Sequence, residues 1–590
     1  MNLLNAKCAA LVAIACCISA GAAHALGLAG TVKEDNGQPV AGVMIKVTSA
    51  SAAAIVTKVF TDAKGEYLVP DLGKNVGVNS IYVETFKIGY EQTRPQAKTL
   101  AVLQPKIDKQ SARVDFTLKP VTNIAAQVPS SAWLASSPDS PEKHHTLVTC
   151  SQCHQLPSER MRKLAEGLAG QDEAQREQVW RAVTNSMRTA VYGALQSEHS
   201  TPLTPEQLAK VVAPEANFIN QRDEDIVAPW LAKHMPTNFA QYDIADKNKF
   251  ADIPLGVTKK TLIREFPIDA YEGGAFVRES AVANGEFWLN DMARNRVGKM
   301  NLQTGKPVWY DVPSPGPVAP HTMSVDGEGN LWVTLLGGTG DMAAMLNPKT
   351  ESWRVYGGFP KSVAAHDFAQ ASGYRMDADK NNIIWMTLVS HNKVIGFNRT
   401  TGEVTPMYDL PIPDMGGTPD HISVYSGGLT SDKNVWFTQN YGDVGRFNTE
   451  TRKVDYVLNY RGAGPHRLVV GDNDLVYVAV LGAGQISVID GKQLKEVKRI
   501  NLPDRASSPY GIIWDKRRNA LWLGTVNNDS LFKYDIRSEK FTEYPVGIRD
   551  LHMRIVAVDN KTGDLWVASS PIPATDGEVR RVFLYRPGDV

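Results

Sequence analysis

Cysteine, net charge and long apolar runs are all scarce in this 590-residue sequence. Three of its five cysteines, Cys8, Cys16 and Cys17, lie within the first 25 residues. The rest of the chain keeps only Cys150 and Cys153, which excludes a disulfide framework. The 63 basic residues balance the 63 acidic ones. Neither a nucleic acid nor an anionic surface is therefore favoured as a partner.

The one long apolar run, Ala9–Ala20, lies near the N-terminus after a single charge, Lys7. Ala23-His24-Ala25 then has the small-residue pattern of a signal-peptidase site. We expect residues 1–25 to be a secretory signal peptide, because the run is too short to span a bilayer. The mature protein would then be periplasmic or secreted, with no transmembrane anchor.

The two remaining cysteines stand in a C-x-x-C-H pattern, Cys150-Ser151-Gln152-Cys153-His154. This is the attachment signature of c-type haem, in which two thiols bind the vinyl groups and the histidine binds iron. Alternative interpretations of C-x-x-C are a zinc site, a redox dithiol or a short-loop disulfide. The adjacent histidine and the expected export favour covalent haem c.

Helical patterns follow the motif, over Pro157–Leu168, Asp172–Leu195, a stretch beginning at Thr204, and Asp223–His234. A small helical region after C-x-x-C-H resembles class I cytochrome c. We expect such a domain over residues 143–245. The resemblance implies a closing helix with an aromatic side chain, for which Trp230 is the candidate.

The second axial ligand of the iron is expected in the same region. Met187 is the first candidate, because it follows His154 on a predicted helix and thioether sulfur is a common axial ligand. A core methionine would fit the same apolar stripe, so this alternative stays open. Met235 is the second candidate. Bis-histidine ligation would use one of three further residues: His144, His145 or His199.

Short β runs precede the motif, separated by turns that contain Gly and Asn. The segments Gly30-Thr31-Val32, Gln38–Val43 and Thr61–Tyr67 resemble the carboxypeptidase regulatory-like family, which implies an Ig-type β-sandwich. We expect this domain over residues 26–120. A stretch rich in Pro, Ser and Ala, residues 121–142, is expected to be a linker.

From residue 261 to residue 590 an aromatic side chain recurs in a short strand at intervals of roughly 40 to 55 residues. These anchors are Trp288, Trp332, Trp385, Trp436, Tyr477, Trp522 and Trp566. Seven such units predict a seven-bladed β-propeller. We expect Leu262–Ile268 to supply the outer strand of the last blade, which leaves no open edge. The predicted fold class is therefore mainly β.

The blades carry motifs that start an inner strand or follow the Trp anchor: Ala319-Pro320-His321, Gly464-Pro465-His466, Ser508-Pro509-Tyr510, Trp436-Phe437-Thr438-Gln439 and Asn295-Arg296-Val297-Gly298. They resemble the propellers of virginiamycin B lyases (streptogramin lyases). The resemblance implies that His421 and His466 match the catalytic histidines of that family, with His321 as a third.

The carboxylates of the lyase pattern are missing here. Ala319, Pro419 and Gly464 stand two residues before the three histidines, where one glutamate is expected. Gln439 replaces the glutamate that ends the Trp-Phe-Thr motif. These departures disfavour elimination chemistry.

The propeller contains six histidines, and loops of a single face carry all of them in the predicted topology: His321, His366, His391, His421, His466 and His552. Tyr374, Arg375, Tyr510 and Arg554 are expected at the same mouth. Converging imidazoles can bind copper, iron or zinc, or act as general bases. We predict His321, His421 and His466 as the catalytic residues, and a second metal at this mouth is compatible with them.

A haem beside such a mouth predicts an exported oxidoreductase. A small-molecule substrate would be oxidised at the mouth, and electrons would pass through the haem to a soluble or membrane acceptor. One alternative is a streptogramin-type lyase with an appended haem. Another is a non-enzymatic electron-transfer or binding protein whose propeller docks a partner.

Overall fold

The computed structural model describes residues 27–49, 56–70, 81–95, 106–108, 111–197, 221–245, 254–268, 277–302, 304–361, 363–389, 391–412, 424–549, 551–569 and 581–589. The structure is mainly β, which confirms the predicted fold class. The chain divides into two compact units, residues 1–120 with 258–264, and residues 121–257 with 265–590. The predicted signal peptide lies outside the described residues. Within them, no helix is long and apolar enough to cross a membrane.

In the first unit, β1 occupies a central position. It pairs antiparallel with β4 and parallel with β8 and β9, and β2 pairs antiparallel with β3 and β5. Buried side chains such as Val32, Val59 and Phe116 form its core. The strands are β1 Gly27–Glu34, β2 Met44–Ser49, β3 Val56–Phe60, β4 Glu66–Val69, β5 Ile81–Phe86, β6 Tyr90–Arg94, β7 Lys106–Asp108, β8 Ser111–Arg113 and β9 Phe116–Pro120. The carboxypeptidase regulatory-like assignment stays a prediction.

The second unit begins with a helical segment. Its helices are α1 Ser130–Leu134, α2 Pro141–Ser151, α3 Glu159–Gly167, α4 Glu173–Ser197 and α5 Gln221–His234. Helix α2 starts where Ser140 accepts a hydrogen bond from the Lys143 backbone N–H (3.2 Å), with Pro141 in the first turn. The predicted helix near Thr204 lies outside the described residues. The cytochrome c assignment stays a prediction.

Part of the stretch that the composition predicts to be a linker, residues 121–142, is buried in the structure. Ile124, Val128 and Trp133 are buried in a cluster of helical side chains that we call the helical core. Trp133 packs edge-on against Phe239 and Tyr242, with ring centroids 5.0 and 4.8 Å away. Apolar residues scattered among Pro and Ser therefore fold onto the helices, because burying them removes apolar surface from water.

Seven four-stranded blades follow, as the repeat predicts, and blades 3 and 4 are joined into one eight-stranded sheet. Their inner-to-outer strands in blades 1 to 4 are β11 Ser280–Ala283, β12 Glu286–Asp291, β13 Arg296–Met300, β14 Pro307–Asp311; β15 Pro320–Val325, β16 Leu331–Leu335, β17 Ala343–Asn347, β18 Ser352–Tyr356; β19 Ala365–Gln370, β20 Ile383–Leu388, β21 Lys393–Asn398, β22 Tyr408–Asp409; β23 Val424–Leu429, β24 Val435–Gln439, β25 Asp443–Asn448, β26 Lys453–Asn459.

Blades 5 to 7 complete the propeller. Their strands are β27 Pro465–Val470, β28 Leu475–Val480, β29 Gln485–Asp490, β30 Lys495–Asn501; β31 Pro509–Asp515, β32 Ala520–Thr525, β33 Ser530–Asp535, β34 Lys540–Pro545; β35 Met553–Val558, β36 Leu565–Ser569, β37 Arg581–Arg586 and β10 Leu262–Pro267. Strand β10 pairs with β37 through hydrogen bonds, and the Arg581 side chain donates a hydrogen bond to the Glu265 carboxylate at 3.0 Å. The strand expected to close the last blade therefore lies at its outer edge.

The recurring tryptophan has a structural role in several blades. The indole N–H of Trp332 donates to Asp326, that of Trp385 to Asp379, and that of Trp522 to Asp515, each at 2.9 Å. All three indoles are almost completely buried. An Asp in the turn before the second strand therefore satisfies a buried donor, and the sequence repeat reflects this requirement.

Candidate functional site

Seven side chains occupy equivalent positions near the starts of the inner strands, and we call this set the mouth ring. In six blades the ring residue lies where the register between the first two strands shifts. Such bulges redirect individual side chains. The mouth ring consists of Arg278, His321, His366, Tyr425, His466, Tyr510 and Arg554.

Neighbouring members of the mouth ring are in contact. The centroid of the His366 ring lies 4.4 Å from that of His321 and 4.2 Å from that of Tyr425. His466 is stacked between Tyr425 and Tyr510, at 3.9 and 4.1 Å. The two tyrosine hydroxyls share a hydrogen bond. From His321 to Tyr510, the five aromatic members of the mouth ring thus form a continuous, buried belt.

Arg554 continues the belt into blade 7. Its guanidinium donates to the Tyr510 hydroxyl at 2.6 Å and lies over the Tyr510 ring. His552, two residues earlier, packs edge-on against the same ring, with centroids 5.1 Å apart. Both side chains are buried.

Hydrogen bonds fix the tautomers of two ring histidines. Nδ1 of His366 donates to the Tyr425 carbonyl at 2.7 Å. Nδ1 of His321 lies 3.1 Å from the Thr322 hydroxyl, which itself donates to the His366 carbonyl at 2.7 Å. The Tyr425 carbonyl can only accept, so Nδ1 of His366 carries the proton. The Thr322 hydroxyl already donates its proton to the His366 carbonyl, so Nδ1 of His321 must donate as well. In both rings Nε2 therefore carries the lone pair.

His466 differs from the other two. It is completely buried, and neither of its ring nitrogens has a hydrogen-bond partner among the described residues. Burial lowers the pKa of His466 well below its usual value, and the positive charge of Arg467 lowers it further. Burial also lowers the pKa of His366, to about 3. These imidazoles are neutral at physiological pH.

A buried ion cluster lies next to the mouth ring in the inner strands. Arg467 forms an ion pair with Glu279, and its guanidinium lies 3.8 Å from the Asp367 carboxylate. Asp367 also accepts a hydrogen bond from the Ser426 hydroxyl at 2.9 Å. Burial raises the pKa of Asp367 to about 7, against the opposing effect of Arg467.

The C-x-x-C-H motif lies directly over the mouth ring. Nε2 of His552 donates to the backbone carbonyl of Ser151 at 3.0 Å, and Arg554 donates to that of Gln152 at 3.2 Å. Helix α2 carries Cys150 into this position. Val148 of the same helix packs among side chains of blades 4 to 6.

Further contacts tie the motif to blade 6. The Asn527 side chain accepts from the Leu156 backbone N–H at 2.8 Å and donates to the Ser151 hydroxyl at 3.1 Å. The Gln155 amide donates to Asp529 at 2.6 Å. The motif is therefore held by the propeller, and the mouth is covered.

Two glycines of blade 5 make room for α2. A Cβ on Gly464 would lie 2.2 Å from Cγ2 of Val148, and a Cβ on Gly482 would lie 2.3 Å from the carbonyl oxygen of His144. Gly464 is one of the positions where the lyase pattern suggested a glutamate. The close approach of α2 explains why no larger side chain stands there.

The residues of the motif fit a covalent haem. Cys150, Cys153 and His154 are partly exposed, whereas Ser151 and Gln155 are buried. Nδ1 of His154 donates to the Gln155 carbonyl at 2.7 Å, which leaves the lone pair on Nε2 for a metal. Both thiols are free.

The thiols face two different apolar surroundings. Cys150 packs against the helical core, which includes Met235. Cys153 packs against Met292 and Ala319 from the loops of blades 1 and 2. A haem joined to both thiols would be bounded by the helical core on one side and by propeller loops on the other.

The predicted axial ligands occupy different environments. Met187 is half-buried on α4, beyond Val183, whose side chain packs against the helical core. Nε2 of His145 is hydrogen-bonded to the buried Asp223 carboxylate at 2.7 Å, and Nε2 of His144 is hydrogen-bonded to the Asp139 carboxylate at 2.6 Å. His199 lies outside the described residues.

The structure brings two of the three predicted catalytic histidines, His321 and His466, into the mouth ring. His421 lies outside the described residues. Within the described part of the chain, no three His, Cys, Asp or Glu side chains are grouped as a metal site, and a second metal stays a prediction.

Sequence reasoning missed Arg278 and Tyr425. An alignment of the blades on their Trp anchors would have shown that these residues share one position.

Fold and site together define a seven-bladed β-propeller whose mouth is covered by a helical segment with a C-x-x-C-H motif. Residues 362–572 match the model of the Virginiamycin B lyase family, so the propeller is virginiamycin B lyase-like.

Similar solved structures include a streptogramin B lyase, at 17% identity over 55% of this chain and 98% of that one, with a TM-score of 0.45. A virginiamycin B lyase from Staphylococcus aureus is similar at 17% identity over 55% of this chain and 99% of that one, with a TM-score of 0.44. Mechanosensory abnormality protein 6 of Caenorhabditis elegans is 29% identical over 92 residues, which are 15% of this chain and 23% of that protein. The chain thus spans less than a quarter of this curated relative.

Proposed function

We propose that this chain is an exported c-type haem protein, periplasmic or secreted, that works as an oxidoreductase. Cys150 and Cys153 would hold the haem, and His154 would bind its iron. When bound, haem supplies one-electron transfer. The observation that carries this proposal is the position of the motif, which contacts the mouth ring through His552 and Arg554.

The residues around the motif would position both the haem and a substrate. The Gln155 carbonyl orients His154 and sets its tautomer. Arg554 links the Gln152 carbonyl to the Tyr510 hydroxyl, so one side chain contacts both the motif and the mouth ring. The mouth ring is buried beneath the motif, which restricts a substrate there to a small molecule. Electrons would leave through the haem to a soluble or membrane acceptor.

The first experiment is haem retention after expression with a c-type maturation system. We expect the haem absorbance to remain with the denatured protein after acid–acetone extraction, because thioether bonds survive this treatment. Cys153→Ser should weaken attachment, and His154→Ala should abolish the low-spin spectrum. Extractable colour, or no colour at all, would contradict covalent haem.

The second experiment tests the catalytic assignment. Substrate-driven haem reduction should be abolished in His421→Ala and His466→Ala, while the haem spectrum changes little. His466→Ala should also lower the melting temperature, because the His466 ring is completely buried between two tyrosine rings. Full activity in both variants and in the double variant would exclude the site. The propeller would then be better explained as a docking platform.

The family match supports a streptogramin-type lyase as the second candidate. The covered mouth and the absence of carboxylates at positions 319 and 464 argue against it. The discriminating assay incubates the protein with quinupristin, which is present in a structure of an inactive virginiamycin B lyase. Ring opening without an electron acceptor would favour the lyase.

A further inference from the structure

We infer that the mouth of the propeller binds a small neutral polyol, whose hydroxyl groups donate hydrogen bonds to imidazole nitrogens. The inference concerns binding alone and goes beyond the proposed electron transfer, since it requires no haem at the motif. Unused imidazole lone pairs, the apolar side chains beside them and the enclosure of the mouth carry it.

Three buried histidines each have a lone pair that no described residue uses. In His321 and His366, Nδ1 is the protonated nitrogen, and no described residue donates to Nε2. In His552, Nε2 donates to the Ser151 carbonyl, so Nδ1 has the lone pair and lacks a partner among the described residues. A buried acceptor without a donor is unfavourable. A ligand that donates hydrogen bonds would therefore be stabilised at this mouth.

His466 adds one acceptor and one donor. Its ring is completely buried, and neither nitrogen has a partner among the described residues. A neutral imidazole has one N–H and one lone pair. A hydroxyl group matches both, because it can donate and accept at the same time. Tyr425 and Tyr510 supply one more donor, since only one of their hydroxyl protons is needed for the bond between them.

The ligand is expected to be uncharged. Burial lowers the pKa of His466 well below its usual value, and the positive charge of Arg467 lowers it further. The same two effects act against a cationic ligand. An anion would bring its own lone pairs towards those of the histidines, which repel them. Hydroxyl groups carry donors to this site without a net charge.

The lone pairs are distributed along the mouth. The ring centroids of His321 and His366 are 4.4 Å apart. His466 and His552 both contact the Tyr510 ring, with centroids at 4.1 and 5.1 Å from it. Among the described residues, no three His, Cys, Asp or Glu side chains are grouped to hold a metal ion. Several hydroxyl groups on one short carbon chain match this distribution better than a single metal ion does.

Apolar side chains lie beside the same polar groups. Val148, Leu481 and Val526 pack in one buried cluster with Tyr425 and Tyr510. They would contact the carbon atoms of a polyol, which ordered water alone does not provide. The motif covers the mouth through two of its backbone carbonyls, and this enclosure restricts the ligand to a few carbon atoms.

The test is calorimetric titration of the purified full chain with erythritol, a short linear polyol. We expect one saturable site per chain, with affinity about tenfold weaker in His466→Phe, because the variant loses both ring nitrogens. Phenylalanine keeps the packing between the tyrosines and breaks no hydrogen bond of the His466 side chain to a described residue. His234→Phe changes a histidine of α5 outside the mouth ring and should bind erythritol as the wild type does. Dimethoxyethane, which has acceptor oxygens but no hydroxyl group, should not bind.

The crystal structure of the full chain with erythritol provides the second measurement. Density for erythritol should lie at the mouth ring, with its hydroxyl groups within hydrogen-bond distance of histidine nitrogens. No saturable binding in solution, equal affinity in wild type and His466→Phe, equal binding of dimethoxyethane, or only water at the ring would overturn the inference. If His466→Phe fails to fold, the erythritol position and the dimethoxyethane titration decide. Neither measurement uses haem absorbance, so the absence of haem or of haem reduction would leave this result intact.

Discussion

Three methionine sulfurs of the second unit are candidates for an axial iron ligand. Met187 is half-buried on α4, Met235 is 5% exposed in the helical core, and Met292 is 5% exposed beside Cys153. Sulfur that fills a core and sulfur that binds iron have the same apolar character. Substitution can separate the two roles because only one of them changes the spectrum.

The expected ligand is Met187. In the oxidised protein, Met187→Ala should remove the weak near-infrared-edge band of the sulfur–iron bond. Met235→Ala and Met292→Ala are the matched variants and should keep the band. Met235→Ala should lower the free energy of unfolding by about 2–5 kcal/mol, because it truncates a buried side chain. Loss of the band in one of these two variants instead would reassign the ligand.

Asp367 should make stability depend on pH. Burial raises its pKa from 3.8 to about 7, with Arg467 and Glu279 as its charged neighbours. The folded protein therefore keeps the proton up to about pH 7, whereas the unfolded chain has lost it above pH 4. The stabilising contribution is complete below pH 4 and is lost as the pH rises to 7.

Asp367→Asn should remove this part of the pH dependence. The free energy of unfolding of the wild type, relative to the variant, should fall by about 2–4 kcal/mol between pH 4 and pH 7. Chemical denaturation at several pH values measures it. Asp409→Asn alters a carboxylate with an 83% exposed side chain and should follow the wild type. A parallel profile for wild type and Asp367→Asn would contradict the raised pKa.

At the scale of elements, α2 determines how the mouth is covered. Its buried residues include the polar side chains of Lys143, His145 and Thr149. Lys143 donates to the Leu134 carbonyl at 3.0 Å, and Thr149 accepts from the Tyr441 hydroxyl at 3.2 Å. The helix therefore docks through hydrogen bonds as well as through Val148.

The fit of α2 against blade 5 can be tested at Gly482. Gly482→Ala should lower the free energy of unfolding by about 1–3 kcal/mol, because its Cβ would meet the His144 carbonyl and Val148. Gly327→Ala is the control, since a Cβ there meets nothing within 4 Å. Equal stability of the two variants would mean that α2 is not seated as described.

The sequence predicts the blades well because each repeats a local requirement. Trp332 and Trp385 each need a buried acceptor, and an Asp in the preceding turn supplies it. Helix α2 has no such signature, since its buried face mixes polar residues such as Lys143 with apolar residues such as Val148, and its partners lie far along the chain. The composition of residues 121–142 predicts a linker for the same reason. The apolar residues of this segment are buried only by partners that are distant in the sequence.

The mouth ring is only partly predictable. His321 and His466 were recognised because histidine is a typical functional residue. Arg278 and Tyr425 share their position in the blade, but their chemistry differs from blade to blade. Only the register of the inner strands brings these unlike side chains together, and register follows from the assembled sheets.

At the scale of the whole molecule, the helical segment and the propeller belong to one compact unit. Asn527 of blade 6 forms hydrogen bonds with Ser151 in the motif and with Leu156 just after it, and Asp529 accepts one from Gln155. Ala506, in the loop before blade 6, packs in the helical core. These contacts couple the proposed haem site to the propeller, because neither part can separate without exposing buried polar groups.

We therefore expect one cooperative transition for this unit. On heating the full haem-bearing chain, the loss of the low-spin haem spectrum should coincide with the change in fluorescence of the propeller tryptophans, such as Trp332 and Trp522. Asn527→Ala should shift both curves down together, by the few degrees that about 1–3 kcal/mol produces, since it leaves the Leu156 N–H and the Ser151 hydroxyl without this partner. Asn501→Ala, in an exposed contact with Gln485, should shift neither curve. If the haem spectrum is lost well below the fluorescence transition, the helical segment unfolds on its own and the docking of the motif on the mouth ring does not hold the two parts together.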